Sequence, residues 1–365
     1  FLEHMAFNGT KHFPDKGIIN TLEKHGVAFG RNINAYTSFT ETVYNLSDVP
    51  VTHPGLIDTC LLILNDWSDY LLLTDEEIDL ERGVISEEWR TRRNAGFRMQ
   101  QKFFPVLFKD SKYAVRDVIG DLNVIKTFEY NTLRKFYHDW YRTDLQAIAV
   151  VGDFNVDEVE AKIKSIFSSI PAIENPILRP ENLLTVKKGT KYLLVTDPEA
   201  PRTTVSLMIL DLEPDKRARD LDYIRDGFVT SLMNTMMGNR FNELVQKGTP
   251  PFIAGALSYS SDLPRSYNAL NVAAYTNEGQ EAKGFEAAVT ELERARRHGF
   301  TKGELERAKA SMLSNFENLY KQKDKISNDD WAGQIQDHFL TGEPIPSMDV
   351  QYNYYKEILP KITAE

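Results

Sequence analysis

The chain begins with FLEHMAFNGT (residues 1–10), an apolar run that carries two ionisable side chains. No capping residue precedes Leu2, so the run is typical of the middle of an apolar helix. Glu3 and His4 lie within it, where a charge is costly unless it has a partner. We therefore predict that these two side chains interact with one another or with a metal ion.

A second predicted helix also carries carboxylates on an apolar face. It begins at the capping box Thr74–Glu77 and is predicted to continue through Trp89 towards Gln101. Glu81 and Glu88 are separated by two helical turns, so the spacing predicts that they share one buried stripe. The turn between them is filled on the same side by Val84 and Ile85, whereas Glu87 points about 100° away and is predicted to be solvated.

Taken one at a time, these features have ordinary alternatives. A lone Glu-His pair is usually a solvated helix end, and paired glutamates on a helix usually face solvent. A basic cluster follows Glu88 and consists of Arg90, Arg92, Arg93 and Arg98. We predict that it forms a solvated face. The alternative is that it guides acidic peptides or a partner half of the protein to the chain.

Length and composition limit the possible classes of protein. The chain has 365 residues, which favours two domains, and its 42% hydrophobic and 26% charged residues are typical of a globular protein. No run of 18 uncharged apolar residues is present to span a membrane. A net charge of −10 argues against binding to nucleic acid and favours peptides or small molecules as partners.

The order of elements predicts an α+β fold. Residues 32–38 and 41–48 are predicted to form an antiparallel strand pair, and residues 146–153 a buried strand. The proline-rich stretch 171–189 is predicted to be a linker, and a weak internal repeat suggests a second copy of the first unit beyond it. Further strands are predicted at 191–196, 203–210 and 268–275. We expect two homologous two-layer α/β units with mainly antiparallel sheets and helices packed on one face.

The opening run closely resembles the pitrilysin/insulinase family of zinc peptidases when it is taken together with Asn34–Thr37 and Glu81–Glu88. That family carries the inverted motif His-x-x-Glu-His. The match begins one residue late, because the first His of the motif would lie immediately before Phe1.

The resemblance implies a zinc site with defined roles. Glu3 is implied to be the general base, His4 and Glu88 the second and third zinc ligands, and Glu81 a helper carboxylate that orients His4. It also implies that a peptide substrate binds as an added strand along an exposed sheet edge, at Asn34 and Ala35. Phe7 is expected either to line the pocket beside the scissile bond or to pack in the core.

The resemblance also implies the domain organisation. We expect a peptidase domain at 1–175 that lacks its N-terminal strands, and a second homologous domain at 185–365 that lacks its C-terminal helix and strand. The chain is then the N-terminal half of a periplasmic or cell-envelope zinc protease of bacterial type. Its partners would be a peptide or unfolded polypeptide substrate and a C-terminal half or partner subunit.

Two classes of function remain open from the sequence. The first is a zinc endopeptidase, for which residues 1–365 alone, without the first His, are expected to bind no stoichiometric zinc and to hydrolyse no peptide. The second is a non-catalytic peptide-binding or structural subunit of the same family. A His encoded before Phe1 would favour the enzyme, and any other residue would favour the subunit.

Overall fold

The computed structural model describes residues 1–180, 182, 184, 189–211, 218–260 and 267–364. The chain divides into two compact units, Phe1–Pro198 and Glu199–Glu365. The domain limits expected from the sequence, 1–175 and 185–365, stay predictions. Residues 181, 183 and 185–188 of the predicted linker lie outside the described residues.

The first unit is mainly helical. Its strands are β1 (Ile33–Thr37) and β2 (Thr42–Leu46), and its helices are α1 (Leu2–Met5), α2 (Gly17–Glu23), α3 (Leu56–Asp69), α4 (Asp75–Thr91), α5 (Ala95–Leu107), α6 (Leu122–Thr127), α7 (Tyr130–Trp140) and α8 (Val156–Phe167). β1 and β2 form the predicted antiparallel pair, with Thr37 opposite Thr42.

Helix α1 has only four residues and is held by contacts with the rest of the unit. Leu2 and Met5 are buried in the core of the unit. Nε1 of Trp67 in α3 donates a hydrogen bond of 2.8 Å to the carbonyl oxygen of Ala6. Because so short a helix is unstable in water by itself, these contacts fix the position of Glu3 and His4.

The loop after α1 is fastened to α3 by a buried carboxylate. Asp66 accepts hydrogen bonds from the hydroxyl of Thr10 at 2.6 Å and from the backbone N–H of His12 at 2.9 Å. Nδ1 of His12 lies 2.7 Å from the second carboxylate oxygen. The buried charge is therefore well partnered, as burial requires.

The long helix predicted after Thr74 is two helices. Thr74 caps α4 as expected, since its hydroxyl accepts from the backbone N–H of Glu77. Helix α4 ends at Thr91, and Asn94 begins α5 by accepting from the N–H of Phe97 at 3.0 Å. An Asn side chain competes with the backbone for hydrogen bonds, which favours a new helix start over a continuous helix.

Two predicted strands are wrong. The structure assigns no strand to 146–153 or to 191–196. Along 147–150 the residues alternate between exposed and half-buried, which is the pattern of an extended chain. The described backbone gives neither segment a hydrogen-bonded partner, however, and a strand is defined by such pairing.

The second unit is a three-stranded sheet with helices. Its strands β3 (Thr203–Asp211), β4 (Ala254–Ser260) and β5 (Asn268–Thr276) are antiparallel in the order β3-β5-β4. Its helices are α9 (Leu221–Val245), α10 (Glu281–His298), α11 (Lys302–Lys321), α12 (Asn328–Thr341) and α13 (Met348–Ile358). Phe241 of α9, Ala288 of α10 and Val272 of β5 meet in one core.

The expected fold class is confirmed. The chain has an α+β fold with small antiparallel sheets and a majority of helix. No helix in the part of the chain that the structure describes is long and apolar enough to cross a membrane.

The contact between α10 and β5 generates a stability prediction. A Cβ atom at Gly284 would overlap Cγ2 of Thr276, whereas a Cβ at Gly227 in α9 would meet nothing within 4 Å. We expect Gly284→Ala to lower the free energy of unfolding by about 1–3 kcal/mol through overpacking. Gly227→Ala should raise it by up to about 1 kcal/mol, since Ala is the better helix former.

Urea unfolding of both variants, followed by circular dichroism, measures the two changes. A shift of the same sign in both would contradict the close packing of α10 on β5.

Candidate active site

The centre of the site is a hydrogen bond between α1 and α4. Nδ1 of His4 lies 2.7 Å from Oε1 of Glu81. The other oxygen of Glu81 accepts a hydrogen bond of 2.7 Å from the side-chain amide of Asn8. Glu81 is only 7% exposed, so the two contacts satisfy a carboxylate that has little access to water.

These contacts shift the pKa values of both partners. The hydrogen bond that His4 donates to Glu81 raises the pKa of His4 above its usual value, although burial opposes the shift. Burial alone would raise the pKa of Glu81, but the hydrogen bonds from His4 and Asn8 bring it below its usual value. The pair is therefore stabilised as imidazolium and carboxylate when no metal is bound.

The opposite nitrogen of His4 faces the second predicted ligand. Nε2 of His4 lies 3.3 Å from Oε2 of Glu88. Two ligand atoms that each lie about 2.0–2.1 Å from a tetrahedral zinc ion are about 3.3 Å apart, so this spacing fits a shared metal. Because Glu81 engages Nδ1, a neutral His4 would present the lone pair of Nε2 towards Glu88.

The donor set in the described residues is incomplete for a metal. No three His, Cys, Asp or Glu side chains within the described ranges are arranged to hold an ion. His4 and Glu88 supply two donors, and a zinc site in a protein uses at least three. The residues present therefore fit zinc as a partial ligand set.

Glu3 is oriented by the β1–β2 pair. The hydroxyl of Thr37 donates to Oε2 of Glu3 and lies 3.2 Å from the hydroxyl of Thr42 on the opposite strand. Among the described residues, no side chain donates to the other oxygen of Glu3. Within the described residues, Thr37 therefore holds one carboxylate oxygen of Glu3, and no side chain holds the other.

The three residues predicted to bind substrate lie in two places. Phe7 is buried and packs edge-on against Trp67 and the exposed Phe29, so its contacts are those of a core residue. Asn34 and Ala35 lie on β1, whose other edge has no strand partner in the described chain.

The backbone of Ala35 faces that open edge. The backbone N–H of Ser38 donates a hydrogen bond to the carbonyl of Glu41, and the N–H of Ser47 donates one to the carbonyl of Asn32. These two bonds identify the hydrogen-bonded pairs at the two ends of the β1–β2 ladder. Hydrogen-bonded and non-hydrogen-bonded pairs alternate along an antiparallel ladder, so Ala35 and Tyr44 form a non-hydrogen-bonded pair. The backbone N–H and carbonyl of Ala35 therefore point away from β2. The N–H of Ala35 donates a hydrogen bond of 2.9 Å to Oδ1 of Asn34.

Sequence reasoning missed three residues that contact the site: Asn8, Thr37 and Arg92. Arg92 was assigned to a solvated basic face, yet its Nη2 lies 2.6 Å from Oε1 of Glu88. Only the i, i+4 spacing of Glu88 and Arg92 could have indicated this pair, and nothing local could have indicated the other two.

The assignment of Val84 to the buried stripe is wrong, because Val84 is 52% exposed whereas Ile85 is buried. Glu87 is exposed, as predicted.

Comparison with known proteins shows the family to which the chain is related. The family model described as Insulinase (Peptidase family M16) matches residues 1–107, and the one described as Peptidase M16 inactive domain matches residues 127–312. The chain is 29% identical to the probable zinc protease PqqL of Escherichia coli over 100% of its own length and 39% of that protein. It is 28% identical to a zinc protease PQQL-like protein of Arabidopsis thaliana, over 100% of its own length and 35% of the relative.

A solved structure of the same Escherichia coli protein also resembles the chain in fold. The first half of the periplasmic protease PqqL from Escherichia coli superposes on the chain with a TM-score of 0.89 at 28% identity, covering 100% of this chain and 77% of that one. The chain therefore belongs to the insulinase family, peptidase family M16. It spans less than two fifths of the length of the two curated relatives, which are named zinc proteases.

The paired pKa shifts predict how stability depends on pH in the metal-free chain. The raised pKa of His4 contributes stability that is fully present below about pH 6.5 and is lost as pH rises through the folded-state pKa. The lowered pKa of Glu81 contributes stability that is present above about pH 4.3 and is lost as pH falls through its folded-state pKa. Glu81→Gln should therefore lower the melting temperature most between these two limits.

Melting curves at a series of pH values measure this difference, with Glu76→Gln on the exposed side of α4 as the control. The NMR titration midpoint of His4 should also fall in Glu81→Gln. An unchanged midpoint would contradict the hydrogen bond between His4 and Glu81.

Proposed function

We propose that residues 1–365 contribute part of the active site of a zinc-dependent endopeptidase that hydrolyses peptides or unfolded polypeptides. The observation that carries this proposal is the 3.3 Å approach of Nε2 of His4 and Oε2 of Glu88. Glu3 is next to His4 in the same helix, so a carboxylate is available beside the two donors. Membership of the family and the names of the relatives support the activity.

Each residue has a distinct role in the proposed reaction. Zinc, when bound, would lower the pKa of a water molecule to about 7 and polarise the scissile carbonyl. Glu3 accepts the proton from the attacking water at its free oxygen and delivers it to the leaving amine. Thr37 holds the other oxygen of Glu3, and Glu81 keeps a proton on Nδ1 of His4 so that Nε2 is the donor atom.

A third ligand is proposed to come from a His immediately before Phe1. The backbone nitrogen of Phe1 is surrounded by the site. This nitrogen is buried, and the carboxylates of Glu3, Glu88 and Glu81 are near enough to interact with it. A residue attached at this nitrogen would therefore begin within the carboxylate cluster.

Substrate is proposed to add as a strand to the open edge of β1. The main chain of Ala35 points away from β2, so its carbonyl can accept from an extended peptide and its N–H can donate to that peptide in place of Oδ1 of Asn34. Such binding depends on backbone groups, so it does not require one substrate sequence.

Location and partners are proposed by likeness. The Escherichia coli PqqL structure is described as that of a periplasmic protease, and we extend a periplasmic or envelope location to this chain. A C-terminal half of the same protein, or a partner subunit, would complete the enzyme.

Catalysis by Glu3 is tested in the complete gene product that contains residues 1–365. Glu3→Gln keeps the shape of the side chain and removes the base, so peptide hydrolysis should fall by at least about 100-fold while zinc content stays the same. The measurement is cleavage of an unstructured peptide together with metal analysis, and Glu87→Gln, on the exposed face of α4, is the matched control. Equal activity in Glu3→Gln and wild type would remove Glu3 as the base.

The same assays on residues 1–365 test the ligand set. The chain alone should bind no stoichiometric zinc, whereas the chain extended by one His before Phe1 should bind it, and extension by Ala should have no effect. Tight zinc binding by the chain alone would mean that a further donor completes the site.

Strand addition is tested by N-methylation of each backbone nitrogen of a peptide substrate in turn. Because alternate N–H groups of an added strand face the edge of β1, kcat/KM should fall at every second position. The loss should be about tenfold, or ~1.4 kcal/mol, the upper range for one hydrogen bond. Equal effects at neighbouring positions would contradict strand addition.

A further inference from the structure

The carboxylate of Glu88 is held on both of its oxygens. Oε2 lies 3.3 Å from Nε2 of His4, while Oε1 forms an ion pair of 2.6 Å with Nη2 of Arg92. Arg92 is the C-cap residue of α4, one turn beyond Glu88, and its side chain is 59% exposed, whereas that of Glu88 is 27% exposed. The ion pair therefore joins a half-buried carboxylate to a solvated cation.

Arg92 differs from the arginines around it. Arg90 pairs with the exposed Glu87, and the guanidinium of Arg93 lies over the ring of Trp89. Neither of these two contacts involves a residue that faces His4. Arg92 alone in this run of three contacts a proposed metal ligand.

We propose that Arg92 is a positioning residue that restricts Glu88 to one oxygen as a metal ligand. This inference rests on the proposed zinc site. Oε1 is occupied by the guanidinium, so only Oε2 is presented beside Nε2 of His4. A carboxylate that donates one oxygen leaves a position on the metal for water, whereas donation of both oxygens would fill that position.

The physical effect of Arg92 has two opposed parts. Its positive charge repels a bound dication, which weakens metal binding. Its close contact with Oε1 orients the ligand, and loss of such an orienting partner typically costs 10–100-fold in metal affinity. A test must therefore separate the orienting contact with Oε1 from the positive charge.

Two neutral variants make this separation in the complete gene product. Arg92→Gln and Arg92→Met both remove the charge, but only Gln can donate a hydrogen bond to Oε1 of Glu88. Arg92→Met should bind zinc about tenfold more weakly than Arg92→Gln, measured by competition with a chromophoric chelator. With Co²⁺ in place of zinc, Arg92→Gln should keep the visible spectrum of wild type, and Arg92→Met should show the weaker bands of a higher coordination number.

Arg90→Met is the matched control, because it removes an exposed arginine of the same helix that contacts Glu87 instead. It should leave zinc affinity and the Co²⁺ spectrum unchanged. Equal affinity and equal spectra for Arg92→Met and Arg92→Gln would overturn the role of Arg92 while the zinc site stands. Failure of the wild-type gene product to bind zinc would overturn the proposed function and this inference with it.

Discussion

The hydrogen bond between His4 and Glu81 is the interaction on which the rest of the site depends. It joins α1 to α4 across 77 positions in sequence and fixes which nitrogen of the imidazole carries a proton. Once Nδ1 is engaged, Nε2 can only point towards Glu88. The amide of Asn8 holds the far oxygen of Glu81, so the orienting carboxylate is itself oriented.

This interaction requires that α1 be placed accurately, and α1 cannot place itself. A helix of four residues has too few internal hydrogen bonds to offset the cost of nucleation. Its position comes from apolar burial of Leu2 and Met5 and from Trp67, which binds the carbonyl of Ala6. The chemistry of Glu3 and His4 is therefore supported by the core formed with α3.

The parts of the site that could be predicted are those encoded by local spacing. The seven-residue separation of Glu81 and Glu88 was sufficient to predict that both lie on one side of α4. Asn8 and Thr37 could not be predicted, because their contacts with Glu81 and Glu3 join residues 73 and 34 positions apart. The failed strands at 146–153 and 191–196 have a related cause: composition indicates an extended chain but does not identify its pairing partner.

Carboxylates surround the imidazole of His4 in the metal-free chain. The carboxylates of Glu81 and Glu88 lie on opposite sides of the His4 imidazole, and Arg92 contacts Glu88. Without a metal, the raised pKa of His4 allows a proton to supply part of the missing positive charge. A metal ion would take the place of that proton at Nε2, so metal binding and loss of the proton are linked. The same hydrogen bond from Nδ1 of His4 to Glu81 thus stabilises the imidazolium in the metal-free chain, and it would keep Nδ1 protonated if Nε2 bound a metal ion.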